Sequence, residues 1–151
     1  DHPGIDTIMT PVGGGGLLAG STLAASSRSG IRVFGAEPLN ADDAARSLRA
    51  GQILEQTNPD TIADGLRTSL GHQNFQIIAS GVTDIITASE DFIITAMRMM
   101  WERMKIVVEP SAAVPLAALL EHGVPEGCQS IGIVISGGNV DLDELPWFTP
   151  T

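Results

Sequence analysis

The sequence predicts an α/β fold: a layered, mainly parallel sheet with helices on both faces. Three observations predict it. Apolar runs of strand length alternate along the chain with stretches of helical spacing, the pattern of successive βαβ units. Ser130–Ile135 is continuously apolar, as expected of a strand covered on both faces. The stretch Pro11-Val12-Gly13-Gly14-Gly15-Gly16-Leu17-Leu18-Ala19-Gly20 joins a strand to a helix through four consecutive glycines. The length, 151 residues, suits one domain spanning 1–151.

In order, Asp1–Asp6 is a polar lead-in with Pro3-Gly4 as turn residues. Thr7–Pro11 reads as the first strand and Leu17–Ser26 as the helix after the glycines. Ile31–Ala36 is a second strand ending at Glu37-Pro38, because proline cannot donate to a ladder. A helix from Asn40 through about Arg49 has acids in its first turn and Gly51 as its stop. The pattern weakens from Gln52 to Ser80, which is expected to be mostly loop with a short helix near Asn74–Ile78.

Val82–Thr87 is a third strand. Ser89 caps a helix whose Ile93, Met97, Met100, Trp101 and Met104 fall on one face, for the core or a subunit interface. Lys105–Pro110 is an apolar link, Ser111 caps a helix over Ala112–Glu121, and Gly123 ends it. The fourth strand, Ser130–Ile135, leads into Ser136-Gly137-Gly138-Asn139, and Asp141–Thr151 is a surface tail.

Composition narrows the function classes. The net charge is −10, with 18 acids against 8 bases, which argues against nucleic acid and anionic membrane as partners. Cys128 is the single cysteine, so no internal disulfide forms, and a cytoplasmic setting is expected. No apolar run reaches spanning length. His2, His72 and His122 are scattered and none is near Cys128, so neither a zinc site nor a nucleophilic triad is signalled. The chain opens on Asp1 and enters a core strand within a few residues, which suggests a fragment or a processed chain.

The strand ends carry the chemistry. A glycine run at a helix start offers unpaired N–H groups and the positive end of the helix dipole to a phosphate. Gly14-Gly15-Gly16-Leu17-Leu18-Ala19 fits G-x-G-x-x-A, with Glu37 placed 21 residues after Gly16 where a ribose-binding acid belongs. A nicotinamide-binding, Rossmann-like domain is therefore one reading. A second is a small phosphorylated cofactor such as pyridoxal phosphate, with Ser136 as a neutral partner for the ring nitrogen. A third is a non-catalytic module that binds a phosphorylated ligand. Glu37, Asp42 and Asp43 in one strand-to-helix loop, with free carbonyls between them, also suit Mg²⁺ or Ca²⁺. Lys105, the single lysine, reads as a helix-end charge.

Six segments then carry a resemblance. They are Pro11–Gly20, Gly35–Asp43, Thr61–Gly65, Trp101–Lys105, Val108–Ser111 and Ile135–Leu142. In order and spacing they resemble serine racemase and the threonine/serine dehydratases, pyridoxal-phosphate enzymes of the tryptophan-synthase-β fold type. The resemblance covers nearly the whole chain but only the C-terminal half of such an enzyme, part of its large domain. It implies that Gly13, Gly14, Gly15, Gly16 and Leu17 hold the cofactor phosphate, that Ser136 faces the pyridine nitrogen and that Glu109 lies near the ring. It implies a divalent cation, Mg²⁺, Ca²⁺ or Mn²⁺, on Glu37, the Ala41 carbonyl and Asp43. ATP is an implied effector, with Lys105 and Asn139 at matching positions.

The family's Schiff-base lysine, its second catalytic serine and its substrate-carboxylate loop belong to the other half. The chain alone is therefore expected to be inactive, holding no catalytic residue of its own. An amino-acid substrate, and either a homo-oligomer or the missing N-terminal half as protein partner, are expected.

Overall fold

The computed structural model describes residues 4–148. Among them, four strands form one sheet: β1 (Thr7–Pro11), β2 (Arg32–Pro38), β3 (Asp84–Ala88) and β4 (Ile131–Ile133). Their order is β3-β2-β1-β4 and every pairing is parallel, with Met9 opposite Phe34 on one side and Ile133 on the other. The α-helices that join them are α1 (Gly16–Ser26), α2 (Asp43–Ala50), α3 (His72–Gly81), α4 (Glu90–Met99) and α5 (Pro110–His122).

Alternation along the strands builds two cores. Met9, Phe34, Ala36 and Ala88 point to one face, where Ile93, Ala96 and Met97 of α4 and Ala112, Ala113 and Ala117 of α5 cover them. Val33 and Ile85 point to the other, under Leu18, Ala19 and Ala25 of α1, Ala44 and Ala45 of α2, and Ile78 of α3. A fully buried Leu18, Ile78 or Met97 contributes about 1.5–3 kcal/mol by leaving water. Gly35 sits where β2 meets α1: a Cβ there would lie 2.7 Å from Val12 and 3.0 Å from Leu18, so its absence lets the helix approach the sheet.

Several elements differ from their sequence reading. β2 continues through Glu37 and Pro38, which pair with Thr87 and Ala88. α3 is a full helix over His72–Gly81, although Ile78 is its single buried residue, too thin a stripe to stand out as periodic. Ser89 stands at the start of α4, but its hydroxyl makes no capping bond; its N–H donates to Glu121 (2.8 Å). α5 starts earlier than expected, with Glu109 at the cap and Pro110 first in the helix, where proline's missing N–H costs nothing. Ser111 therefore lies inside the first turn and is not the cap.

α4 widens into a π-helical turn over Met100–Met104, which breaks the 3.6-residue register. Ile93, Met97 and Met100 are core residues, whereas Met104 turns out to 55% exposure. Trp101 donates Nε1–H to the Val108 carbonyl (2.9 Å) and stacks edge-on against Trp147 at 5.5 Å.

β4 is shorter than expected and half-buried, because among the described residues it pairs with β1 alone and forms a sheet edge. The lead-in is more than polar chain: the Asp6 carboxylate accepts the N–H groups of Gln129 and Ser130 and the Thr7 hydroxyl. Pro3 of the expected turn lies outside the described residues, as do residues 149–151 of the tail. Leu145 of the tail is buried in the core rather than lying on the surface. Among the described residues no helix is long and apolar enough to cross a membrane.

Candidate functional site

The sheet turns its connections both ways at β1 and β4. From β1 the chain leaves to α1 on one face. From β4 it leaves along a segment whose Val140, Leu145 and Trp147 pack on the other. Neighbouring strands that exit to opposite faces leave a crevice at their carboxyl ends, where ligands bind in open α/β sheets. A cavity of about 230 Å³ occupies that crevice, lined by Pro11, Gly13–Leu17, Gly65, Leu66, Glu109, Ser111 and Ser136. The structure thus brings every residue named for the cofactor into one cavity: Gly13, Gly14, Gly15, Gly16, Leu17, Glu109 and Ser136.

The four glycines serve two ends. Gly15 has φ +82, and a Cβ on it would lie 2.5 Å from Leu70 Cδ1. A Cβ on Gly13 would lie 3.1 Å from the Gly65 carbonyl and from Thr68 Oγ1. The fold itself demands glycine at Gly15, and Gly13 is closely hemmed by protein atoms. Gly14 and Gly16 are different: a Cβ on either would meet no protein atom closer than 3.9 Å. They are exposed to the cavity. The Gly14 carbonyl accepts Gly71 N–H (3.1 Å) and Asn74 Nδ2–H (2.7 Å) on α3. Peptide planarity then sends the Gly15 N–H the opposite way. Among the described residues the N–H groups of Gly13, Gly14, Gly15, Gly16 and Leu17 meet no acceptor. Five free donors at the positive end of α1 make an anion cradle.

The opposite wall is a loop pinned to the entrance of α5. Glu109 N–H donates to the Gly137 carbonyl (3.2 Å), and Asn139 N–H donates to Glu109 Oε2 (3.0 Å). A Cβ on Gly137 would fall 2.5 Å from Glu109 Oε1, and one on Gly138 would fall 2.7 Å from the Val107 carbonyl. Ser136-Gly137-Gly138 is therefore shaped by close packing, and this holds the Ser136 hydroxyl at the cavity edge. Glu109 has its carboxylate committed to this loop.

Glu37 and Asp43 lie elsewhere. Glu37 is fully buried and accepts the N–H groups of Ala44 (3.2 Å) and Ala45 (2.8 Å) at the start of α2. Burial, reinforced by the neighbouring Asp43, pushes its carboxyl up to about 8. No ribose can reach it, so the dinucleotide reading fails at the residue that suggested it. Burial also raises Asp43, whose Oδ2 accepts Leu70 N–H (2.8 Å) while its buried Oδ1 has no partner. Asp42 points away and pairs with Arg46 (2.7 Å). Among the described residues no three His, Cys, Asp or Glu side chains gather as a metal site. Two buried carboxylates, one with an orphaned oxygen, nevertheless suit a cation completed by a carbonyl such as that of Ala41 and by water.

The two nucleotide positions are not brought together. Asn139 lines a second cavity of about 270 Å³ with Asp64, Asp141 and Glu144, carboxylates that would repel a triphosphate. Lys105 is exposed, in the left-handed region at φ 60, and lines neither cavity. Ser111, Gly65 and Leu66 are cavity residues that sequence reasoning did not assign. Thr61–Gly65 stood among the family-like segments, but Ser111 looked like an ordinary cap.

Comparison with known proteins identifies the family. Residues 1–137 match the family model described as "Pyridoxal-phosphate dependent enzyme". The chain is 49% identical over 146 residues to serine racemase from Dictyostelium discoideum, covering 93% of this chain and 45% of the relative. It is 43% identical to β-hydroxyaspartate dehydratase from Paracoccus denitrificans, covering 95% and 46%. Among solved structures, a threonine deaminase from T.th. superposes with a TM-score of 0.86 at 46% identity, covering 97% of this chain and 52% of that one. The chain spans about half the length of the curated relatives it matches.

Proposed function

We propose a function that proceeds from one premise: the chain belongs to the pyridoxal-phosphate-dependent enzyme family. It is the part of a hydroxy-amino-acid racemase or dehydratase that holds the cofactor's phosphate and ring. The observation that carries this is the cradle of five unpaired N–H groups, with Gly14 and Gly16 open, facing Ser136 across one cavity. When bound, pyridoxal phosphate supplies an electron sink for an amino acid whose α-proton is removed.

The chain's own residues do the holding. The α1 N-terminus and glycine N–H groups bind the phosphate. The Ser136 hydroxyl meets the ring nitrogen without adding charge, so the ring stays less protonated than beside a carboxylate. Glu109 keeps the Ser136 loop in register. The relatives named above are a serine racemase, a β-hydroxyaspartate dehydratase and a threonine deaminase, whose named amino acids share a hydroxyl one carbon from the α-carbon. We take that class as substrate, with elimination of the hydroxyl or inversion at the α-carbon as the outcome.

Lys105, the single lysine, is outside the cavity. Covalent attachment and proton transfer therefore come from residues beyond this chain, either the rest of the protein or a partner. A divalent cation on Glu37, the Ala41 carbonyl and Asp43 would neutralise the buried pair and brace the start of α2. An ATP effector would find only exposed Lys105 and Asn139 here.

Equilibrium dialysis tests the reading with 4-deoxypyridoxine and its 5′-phosphate, which lack a reactive aldehyde. The wild-type chain should bind the phosphorylated form tightly and the other weakly. Gly14→Ala, whose methyl enters the cradle without touching protein, should lose that preference while unfolding at an unchanged midpoint. Equal binding of the two ligands by wild type, or an intact preference in Gly14→Ala, would refute it. The chain alone should release no pyruvate from L-serine.

A further inference from the structure

Asn74 stands outside the cavity, half-buried in the first turn of the ten-residue α3. Its Nδ2–H donates to the Gly14 carbonyl at 2.7 Å, and Gly71 N–H, at the cap of α3, donates to the same oxygen at 3.1 Å. The carbonyl end of the Gly14–Gly15 peptide is thus held at the positive end of α3, while its N–H end faces the cavity at the start of α1. The opposite orientation competes with this one. Neither flanking residue carries a Cβ, so this peptide can turn over at little steric cost. Turned over, it would aim a carbonyl at the cavity and set an acceptor where an anion needs a donor.

The step from here rests on the cofactor reading above. We infer that Asn74 is a positioning residue for the cofactor's phosphate: it locks the Gly14–Gly15 peptide with its N–H toward the cavity and makes that N–H a stronger donor. Hydrogen bonds at the two ends of one amide reinforce each other, so a donor on the Gly14 carbonyl polarises the Gly15 N–H. Bracing of α3 is already supplied by apolar packing. A Cβ on Gly15 would lie 2.5 Å from Leu70 Cδ1 and 3.0 Å from Ile78 Cδ1, so these side chains press the α3 segment against the glycine run. The packing fixes where α3 sits, and the Asn74 amide fixes which way the peptide points. The cradle then draws on two helices, α1 directly and α3 through Asn74.

The test compares 4-deoxypyridoxine 5′-phosphate with unphosphorylated 4-deoxypyridoxine, by equilibrium dialysis against the wild-type chain, Asn74→Ala and Asn74→Leu. Leucine nearly keeps the shape of asparagine but cannot donate and adds no charge. Both variants should bind the phosphorylated ligand about fivefold or more weakly and the other within about twofold of wild type. Amide NMR of the isotope-labelled chain reads the peptide itself. With the phosphorylated ligand bound, the Gly15 amide proton should lie upfield in both variants of its wild-type position. In wild type the Asn74 side-chain amide should shift when the phosphorylated ligand is added and stay put with the other. Equal losses for both ligands, no loss for either, or an unmoved Gly15 proton would overturn the assignment and leave the cofactor reading standing. A wild-type chain with no preference for the phosphorylated ligand would overturn both. Where a variant fails to fold, the wild-type Asn74 amide decides, and its failure to shift on phosphate binding overturns the assignment.

Discussion

Replacing Glu37 by glutamine should change how stability depends on pH. The side chain is fully buried between β2 and α2, with its carboxyl pushed up to about 8 from an ordinary value of 4.5, first by burial and then by Asp43. Between those two values the folded chain keeps a proton that the unfolded chain has released. The stabilising contribution is therefore complete below about pH 4.5 and is lost as pH rises through about 8. One such proton is worth roughly 1.4 kcal/mol per pH unit, so the full window amounts to at most about 5 kcal/mol. That is a large share of the roughly 5–15 kcal/mol that holds a typical domain.

Urea unfolding from pH 5 to pH 9, with chelator present, measures it. Wild type should lose stability across the range. Glu37→Gln cannot ionise and should show a slope shallower by about one proton. The difference between the two curves isolates Glu37 from the histidines, which both proteins share. Parallel curves would refute the burial argument. Millimolar Mg²⁺ should flatten the wild-type curve and leave the variant unmoved if the cation proposed for Glu37 and Asp43 takes the proton's place; an unchanged wild-type curve would refute that cation site.

Two further substitutions test how the site is supported. Gly15→Ala puts a methyl 2.5 Å from Leu70 on a residue at φ +82 and should cost about 1–3 kcal/mol, read as a lowered urea midpoint. Trp101→Phe removes the hydrogen bond to the Val108 carbonyl and weakens the edge contact with Trp147. It should cost about 1–2 kcal/mol and shift the Trp147 fluorescence, with a wild-type midpoint ruling out any supporting role.

Much of this was legible in the sequence, for reasons that can be traced to particular residues. A helix with one apolar face declares itself by periodicity, as α4 does with Ile93 and Met97, and buried strands declare themselves by short apolar runs, as β1 and β2 do. α3 did not, because one buried residue, Ile78, makes no stripe. The π turn after Met99 was invisible because spacing arguments assume an unbroken helix. The cavity residues Gly13–Leu17 and Ser136 were legible because glycine runs at strand ends advertise chemistry, and Glu109 was legible only through the family resemblance. Ser111 was not: a serine after Pro110 looks the same whether it caps a helix or is buried without a partner. Glu37 was found, but its burial depends on α2 folding over it. Local spacing cannot separate a ribose acid from a buried helix-capping one.

The split within the glycine run has an evolutionary consequence. Gly15 is required by the protein's own atoms and Gly13 is closely hemmed by them, whereas on the proposed cofactor reading Gly14 and Gly16 answer only to what enters the cavity. In a lineage that kept this fold but gave up the ligand, drift would reach the second pair first and spare the first. A descendant reading Gly-Ala-Gly-Ser at these positions would be a well-folded pseudoenzyme. One with all four glycines intact would carry the mark of continuing selection for binding, legible without an assay.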